Sequence, residues 1–149
     1  MQDKRKATAG IPSWALESLY KARIGHLASS TTGGRPLVVP ICFTFDGELI
    51  YSAIDEKPKK SSPLRLRRIA NIAENPQVSF ITDDYSEDWR KLRYVLVNGT
   101  AEILTEGKEF SGAISRLREK YRQYRTMKLE LRPIIRITPL HIAAWAAAL

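Results

Sequence analysis

An apolar run between two turn signals constrains the fold of this 149-residue chain most strongly. Residues 37–45 are mostly apolar, and they lie between residues 31–36 and Asp46-Gly47, two segments whose residues favour tight hairpin turns. Such a run predicts a strand that is buried on both of its faces. Together with residues 24–29 before it and residues 48–54 after it, the run predicts an antiparallel meander of three strands.

The rest of the chain alternates helical and extended patterns. Ser13 is placed to cap a short amphipathic helix, and helical patterns recur over residues 63–73 and 108–124. Further strands are predicted over residues 78–82, 92–104, 134–137 and 142–145. Gly99 lies at a predicted bulge. The pattern favours a mainly β fold, a small closed antiparallel barrel with flanking helices, as one domain over residues 1–149.

Pro40 lies inside the predicted central strand, where a proline removes one hydrogen bond of the ladder. Two interpretations remain open. Either the strand is irregular and leaves its backbone open to a ligand, or it is an edge strand or carries a bulge.

Composition excludes several classes of protein. Hydrophobic residues make up 44% of the chain and charged residues 27%, which is ordinary for a soluble globular protein. No apolar run has the length of a membrane span, and the first residues lack the apolar core of a signal peptide, so a cytoplasmic location is expected. Cys42 is the only cysteine, which excludes an internal disulfide and a cysteine-based zinc site.

The common catalytic motifs of nucleotide-binding, hydrolase and metalloprotease folds are absent from the sequence. His26 and His141 lack metal-ligand spacing, and the segment of Asp83, Asp84, Glu87 and Asp88 lacks the glycine and terminal glutamate of a calcium loop. Cys42 is interpreted as a small buried hydrophobic residue. If the protein is an enzyme, we therefore expect a bound cofactor to supply the chemistry.

A basic stretch follows the predicted meander. Six lysines and arginines but only two acids lie between Asp55 and Arg68, where a strand gives way to a helix. Cations beside the free N–H groups of a helix start suit an anion such as a phosphate. The alternative is a solvated basic helix face.

The net charge of +8 also fits other anionic partners. A second basic group could face nucleic acid: Arg116, Arg118, Lys120, Arg122, Arg125 and Lys128. Tyr121 and Tyr124 interleave with these charges, but both belong to an apolar helical stripe, which indicates packing. Nucleic-acid binding is therefore the less favoured interpretation.

The order of these features resembles the pyridoxamine-phosphate-oxidase-like split-barrel flavoproteins. The shared features are Pro40 in mid-strand, Tyr51-Ser52, the stretch from Lys57 to Asn71, and Asn75-Pro76. Lys57-Pro58-Lys59, combined with Asp88-Trp89, is similar to the branch that uses the deazaflavin coenzyme F420. The resemblance covers about residues 24–103, with a weaker match over residues 139–145.

The resemblance implies a homodimer of six-stranded split barrels with the cofactor in a groove between the subunits. The backbone at Val39, Pro40 and Ile41 would lie against the cofactor ring, beside the strand of Tyr51, Ser52 and Ala53. The residues that would hold the phosphate are Lys57, Lys60, Arg68 and Asn71, with Arg65 near more distal anionic groups. Trp89 would line the substrate side, or would instead be a core or interface anchor.

The activity that the resemblance implies is hydride transfer between reduced F420 and a small organic acceptor. An FMN-dependent oxidoreductase, or a flavin carrier without turnover, would use the same fold and pocket. Residues 139–149 contain no arginine, so the oxidation of pyridoxamine phosphate itself is not expected. No catalytic acid or base stands out in the sequence.

Overall fold

The structure is a computed structural model that describes residues 6–54 and 63–148, with the backbone alone at residues 63–66. The helices are α1 (Ser13–Lys21), α2 (Pro63–Glu74) and α3 (Lys108–Lys120). The strands are β1 (Gly25–Ser30), β2 (Pro36–Ile41), β3 (Thr44–Phe45), β4 (Ile50–Ala53), β5 (Gln77–Asp84), β6 (Arg93–Leu104) and β7 (Ile134–Ala146). Short 3-10 helices span Trp89–Lys91, Arg122–Thr126 and Leu129–Leu131.

The seven strands form one antiparallel sheet in the order β2-β1-β5-β6-β7-β4-β3. β2 and β3 lie at opposite edges of this sheet, yet only Cys42 and Phe43 separate them in the chain. The sheet must therefore curl until its two edges meet at these two residues, which we call the closure. This confirms the predicted split barrel, with seven strands rather than six because the two-residue β3 stands by itself.

The predicted three-strand meander is wrong. Residues 37–45 do not form one strand, because the chain leaves the sheet edge after Ile41 and joins the other edge at Thr44. Nor is β2 buried on both faces: Val39 and Ile41 point into the core, whereas Val38 is 64% exposed. An apolar residue on the outer face looks the same in the sequence as one in the core, so periodicity could not separate them.

The edge interpretation of Pro40 is confirmed. β2 pairs with β1 on one side, with Pro40 opposite His26, and no strand of the described residues pairs with its other side. Half of the N–H and C=O groups of an edge strand point away from the sheet. The backbone of β2 can therefore offer hydrogen bonds to a ligand.

The helices pack on the sheet: α1 contacts β3 and β6, α2 contacts β1 and β6, and α3 contacts β3, β4 and β7. Ser13 is not a cap as predicted: Pro12 occupies the N-cap position of α1, and no side chain caps that helix. The apolar stripe of α3 is buried, and the α-helix ends at Lys120, before the buried Tyr121 and Tyr124. This burial confirms that the two tyrosines pack in the core. No helix within the described ranges is long and apolar enough to span a membrane.

Gly99 marks an irregularity between β6 and β7, as predicted. The register shifts there because Asn98 pairs with His141 but Gly99 pairs with Pro139, so the extra residue is Leu140 on β7. A Cβ atom on Gly99 would lie 2.1 Å from the carbonyl oxygen of Thr138. Only glycine allows the two backbones to approach so closely. The two predicted late strands are one continuous strand, β7.

Candidate functional site

Hydrogen bonds from distant parts of the chain hold the closure. Ser52 Oγ, in β4, donates to the carbonyl oxygen of Cys42 at 2.9 Å. Ser52 is 1% exposed, and the Phe43 ring packs edge-to-face on Phe80 across the barrel interior, with 4.8 Å between ring centroids. The strand of Ser52 therefore lies beside the end of β2, as the predicted cofactor ring site requires.

Two of the β4 residues that were predicted to line the cofactor groove have buried side chains. Tyr51 and Ala53 are buried in a hydrophobic cluster with Phe110 and Ala113 of α3, so that helix covers them. Burial, and secondarily the charge of Glu109, raises the pKa of Tyr51. If Tyr51 or Ala53 contacts a cofactor, it must therefore do so through its backbone. Their role in cofactor binding stays a prediction.

The predicted phosphate residues of α2 lie on one face of that helix. Arg68 and Asn71 are three residues apart and are 7% and 3% exposed. Asn71 Nδ2 donates to Ser29 Oγ of β1 at 3.2 Å, and Asn75 Nδ2 donates to Ser30 Oγ at 3.1 Å. The amide of Asn71 thus meets the hydroxyl of Ser29 where α2 meets β1, and Arg68 is buried one helical turn before Asn71 on α2.

The other predicted phosphate residues cannot be placed. Lys57 and Lys60 lie outside the described residues, and Arg65 lies in the first turns of α2 with its side chain outside them. Arg67, next to Arg68, is exposed.

β1 and β2 connect the α2 corner to the closure. Ser29 is opposite Leu37 in β2, so Val39 and Ile41 lie two and four residues further along that strand. At the rise of a β-strand this separation is roughly 7–13 Å. The predicted ring-binding backbone thus lies between the buried polar groups of α2 and the closure.

Trp89 lies on the short 3-10 helix after β5 and is 69% exposed. Asp88 caps this helix by accepting from the Arg90 backbone at 3.2 Å, and it also accepts from Arg90 Nε at 3.0 Å. These bonds lower the pKa of Asp88. Trp89 is therefore not a core residue of this chain, and a role at the substrate side or at an interface stays a prediction.

Sequence reasoning missed a cluster at the closure. Lys120 Nζ donates to the carbonyl oxygen of Phe43 at 2.8 Å. The Tyr121 hydroxyl accepts from the Phe43 backbone N–H at 3.1 Å and lies within hydrogen-bond distance of the carbonyl oxygens of Arg23 (2.8 Å) and Phe43 (3.1 Å). Burial raises the pKa of Tyr121 to about 12, whereas burial and then the charge of Arg23 lower that of Lys120 to about 8. Lys120 and Phe43 are 77 residues apart, so no local signal joins them.

Potential metal ligands do not converge. No group of three or more His, Cys, Asp or Glu residues that could hold a metal ion occurs among the described residues. Cys42 is half-buried at the closure rather than fully buried as predicted. His26 and His141 lie on separate strands, β1 and β7.

Comparisons with known proteins agree with this fold. The sequence profile of the family described as pyridoxamine 5'-phosphate oxidase matches residues 15–146. A 5a,11a-dehydrotetracycline/5a,11a-dehydrooxytetracycline reductase from Streptomyces rimosus is 33% identical over 84 residues, 56% of each chain. The chain thus spans little more than half the length of that relative.

Two solved structures are similar in fold at low sequence identity. The heme storage protein HutZ from Vibrio cholerae has a TM-score of 0.68 and 16% identity, over 90% of this chain and 93% of that chain. An F420 reductase has a TM-score of 0.64 and 23% identity, over 89% of this chain and 98% of that chain.

Proposed function

The chain belongs to the pyridoxamine 5'-phosphate oxidase family, and from this premise we propose that it is an oxidoreductase that binds coenzyme F420. It would transfer a hydride between the reduced deazaflavin and a small organic acceptor. The likeness to a reductase and to an F420 reductase supports this proposal. The observation that carries it is the burial of Arg68 on α2, together with the hydrogen bond from Asn71 of the same helix to Ser29 of β1.

These residues fit the phosphate of a flavin-type cofactor. Hydrogen bonds between a charged group and phosphate are about twice as strong as neutral ones, so the buried guanidinium of Arg68 and amide of Asn71 would anchor that end. The open edge of β2 at Val39, Pro40 and Ile41 would orient the ring, since the backbone groups that point away from β1 have no strand partner among the described residues. Bound deazaflavin would supply the hydride, while the chain would hold it in position and exclude water.

FMN is the alternative cofactor, because the same groups would hold its phosphate. The net charge of +8 favours F420, whose tail adds carboxylates to a phosphodiester. The preference for F420 over FMN therefore rests on charge, because the fold serves both cofactors.

We also propose that the protein is a homodimer that buries the outer face of the sheet. Val38, Leu140 and Trp145 are 64%, 66% and 44% exposed, and Leu140 lines a groove of about 550 Å³ together with Ala28 and Pro36. A second copy would cover this apolar face. In sedimentation analysis Leu140→Glu should shift the protein toward monomer, whereas Leu131→Glu, at a 76% exposed residue of a 3-10 helix, should not. Equal behaviour of the two variants would contradict the dimer face.

The cofactor proposal is tested by titrating the purified protein with F420 and, separately, with FMN, following the quenching of cofactor fluorescence. We expect micromolar or tighter binding of F420 and weaker binding of FMN. Arg68→Gln should weaken F420 binding roughly 10- to 100-fold, which corresponds to the loss of about 1.5–3 kcal/mol from a charged hydrogen bond.

Arg67→Gln is the matched control, because Arg67 is the exposed neighbour of Arg68 on the same helix. The affinity of Arg67→Gln for F420 should stay within about twofold of that of the wild type, because exposed charges contribute little to binding. Thermal unfolding of both variants verifies that they are folded. Preference for FMN would keep the pocket and change the cofactor, whereas binding of neither cofactor, or an equal loss in both variants, would refute the assignment.

A further inference from the structure

Two cations pack on the Tyr121 ring beside the closure. The guanidinium of Arg23 lies 4.6 Å from the centroid of the Tyr121 ring, and Lys120 Nζ lies 5.4 Å from the same centroid. Arg23 Nη2 also donates to the backbone carbonyl of Lys120 at 2.8 Å. The ammonium of Lys120 packs over the Phe43 ring, 4.1 Å from its centroid. Both cations thus pack on Tyr121, and each donates a hydrogen bond to a backbone carbonyl, Arg23 to that of Lys120 and Lys120 to that of Phe43.

Neither cation has an acidic partner in the described part of the chain. The titratable groups that face Lys120 are Arg23 from the segment between α1 and β1, Cys42 from the closure, and Tyr121 from its own segment. The half-buried Arg118 and Arg136 differ, because each forms ion pairs with glutamates. The half-buried ammonium of Lys120 exchanges hydration for a carbonyl and ring contacts, with no opposite charge among the described residues to offset the second cation. Such groups are candidates for functional sites when geometry also supports a role.

The place of the cluster in the fold points to its use. Cys42 and Phe43 directly follow Ile41, so the cations lie at the end of the backbone segment that is predicted to carry the cofactor ring. Cys42 is two residues from Pro40, roughly 7 Å along an extended chain. A ligand beside the ring would therefore lie near Phe43, whose carbonyl oxygen accepts from Lys120.

We infer that Lys120 and Arg23 form a binding site for a carboxylate or enolate oxygen of the acceptor. This inference rests on the proposed function, since it places the acceptor beside the cofactor groove. The bound anion would replace the hydration that Lys120 loses through burial and would offset the repulsion from Arg23. Lys120 would keep its bond to the carbonyl of Phe43 and so present its remaining N–H groups to the ligand. The site would therefore select anionic acceptors over neutral ones.

The experiment compares benzoate with its neutral analogue benzamide as probes of the cofactor-free protein. The Lys120 amine is titrated by NMR in protein with ¹³C-labelled lysine, alone and with each probe. We expect benzoate to raise the pKa of Lys120 from about 8 and to bind at least tenfold more tightly than benzamide. The titration uses the wild-type protein, so it does not depend on whether a variant folds.

Lys120→Met tests the same site by removing the charge while keeping the chain length. It should abolish the preference for benzoate, whereas Lys128→Met, at an exposed lysine of the same region, should keep it. An unchanged pKa of Lys120 with benzoate, equal binding of the two probes, or a preference that persists in Lys120→Met would each overturn the inference.

A second arm separates the acceptor from the carboxylates of the F420 tail. Benzoate should still bind when F420 is present, and competition between them would overturn the assignment to the acceptor. The F420 and FMN titrations test the proposed function separately from the benzoate experiment. Cofactor binding without a benzoate effect refutes only the anion site, and a benzoate effect without cofactor binding refutes the proposed function.

Discussion

The hydroxyl of Tyr121 satisfies backbone groups where the two edges of the barrel meet, so the variant Tyr121→Phe isolates the contribution of one oxygen atom. In the wild type, the buried N–H of Phe43 donates to this oxygen at 3.1 Å. The hydroxyl proton can be shared with only one acceptor at a time, and the nearer is the carbonyl oxygen of Arg23 at 2.8 Å. The carbonyl of Phe43 would still accept from Lys120 in the variant. The main loss is therefore the acceptor of a buried N–H.

The magnitude follows from these contacts. A buried donor left without a partner costs about 1–3 kcal/mol, and the lost bond to Arg23 adds about 0.5–1.5 kcal/mol. We expect the free energy of unfolding to fall by about 2–4 kcal/mol. For a chain of this length, that corresponds to a decrease in Tm of roughly 5–15 °C.

The assay is urea and thermal unfolding followed by circular dichroism at pH 7. Tyr121 stays protonated there, since burial raises its pKa to about 12. Tyr85→Phe is the matched control, because the Tyr85 ring is 67% exposed and its hydroxyl contacts Glu87 at 3.2 Å. The control should change stability by less than about 0.5 kcal/mol. A loss of less than about 0.5 kcal/mol in Tyr121→Phe would refute the claim that this hydroxyl holds the closure.

Two further predictions concern the backbone and pH. Gly99→Ala should destabilise the protein by about 1–3 kcal/mol or more in urea unfolding, because the new Cβ would lie 2.1 Å from the Thr138 carbonyl oxygen. Gly112→Ala, in the middle of α3 with open space around its Cβ, should instead stabilise it by up to about 1 kcal/mol, and a loss there would contradict the packing argument. The pKa of Lys120 is about 8 in the folded protein and 10.5 in its ordinary state. Between these two pH values the unfolded chain still carries the proton on Lys120, whereas the folded protein has released it. The stability of the wild type relative to Lys120→Met should therefore rise between about pH 8 and pH 10.5, and a flat difference would show that burial does not lower this pKa.

Local patterns in the sequence were sufficient for several elements. The predicted helix at residues 63–73 is α2, the apolar stripe after Lys108 is the buried face of α3, and the irregularity at Gly99 is where predicted. Each depends on spacing or on a glycine within one segment, and a sequence displays such features directly. The split barrel itself followed from the number and kind of these segments and from the family resemblance.

Tertiary structure alone decided how the edges of the sheet meet. The sequence treats residues 37–45 as one apolar run, but the barrel separates them into strands at opposite edges joined through the closure. It also decided that α3 covers Tyr51 and that Lys120 reaches Phe43 across 77 residues. Helical and strand periodicity depends on neighbours in the chain. Strand pairing depends on which distant segments come together, and so does the loss of hydration by a charged side chain. The phosphate site at α2 therefore stays a prediction from one basic helix, whereas the contacts of Lys120 and Arg23 at the closure became visible only in the folded chain.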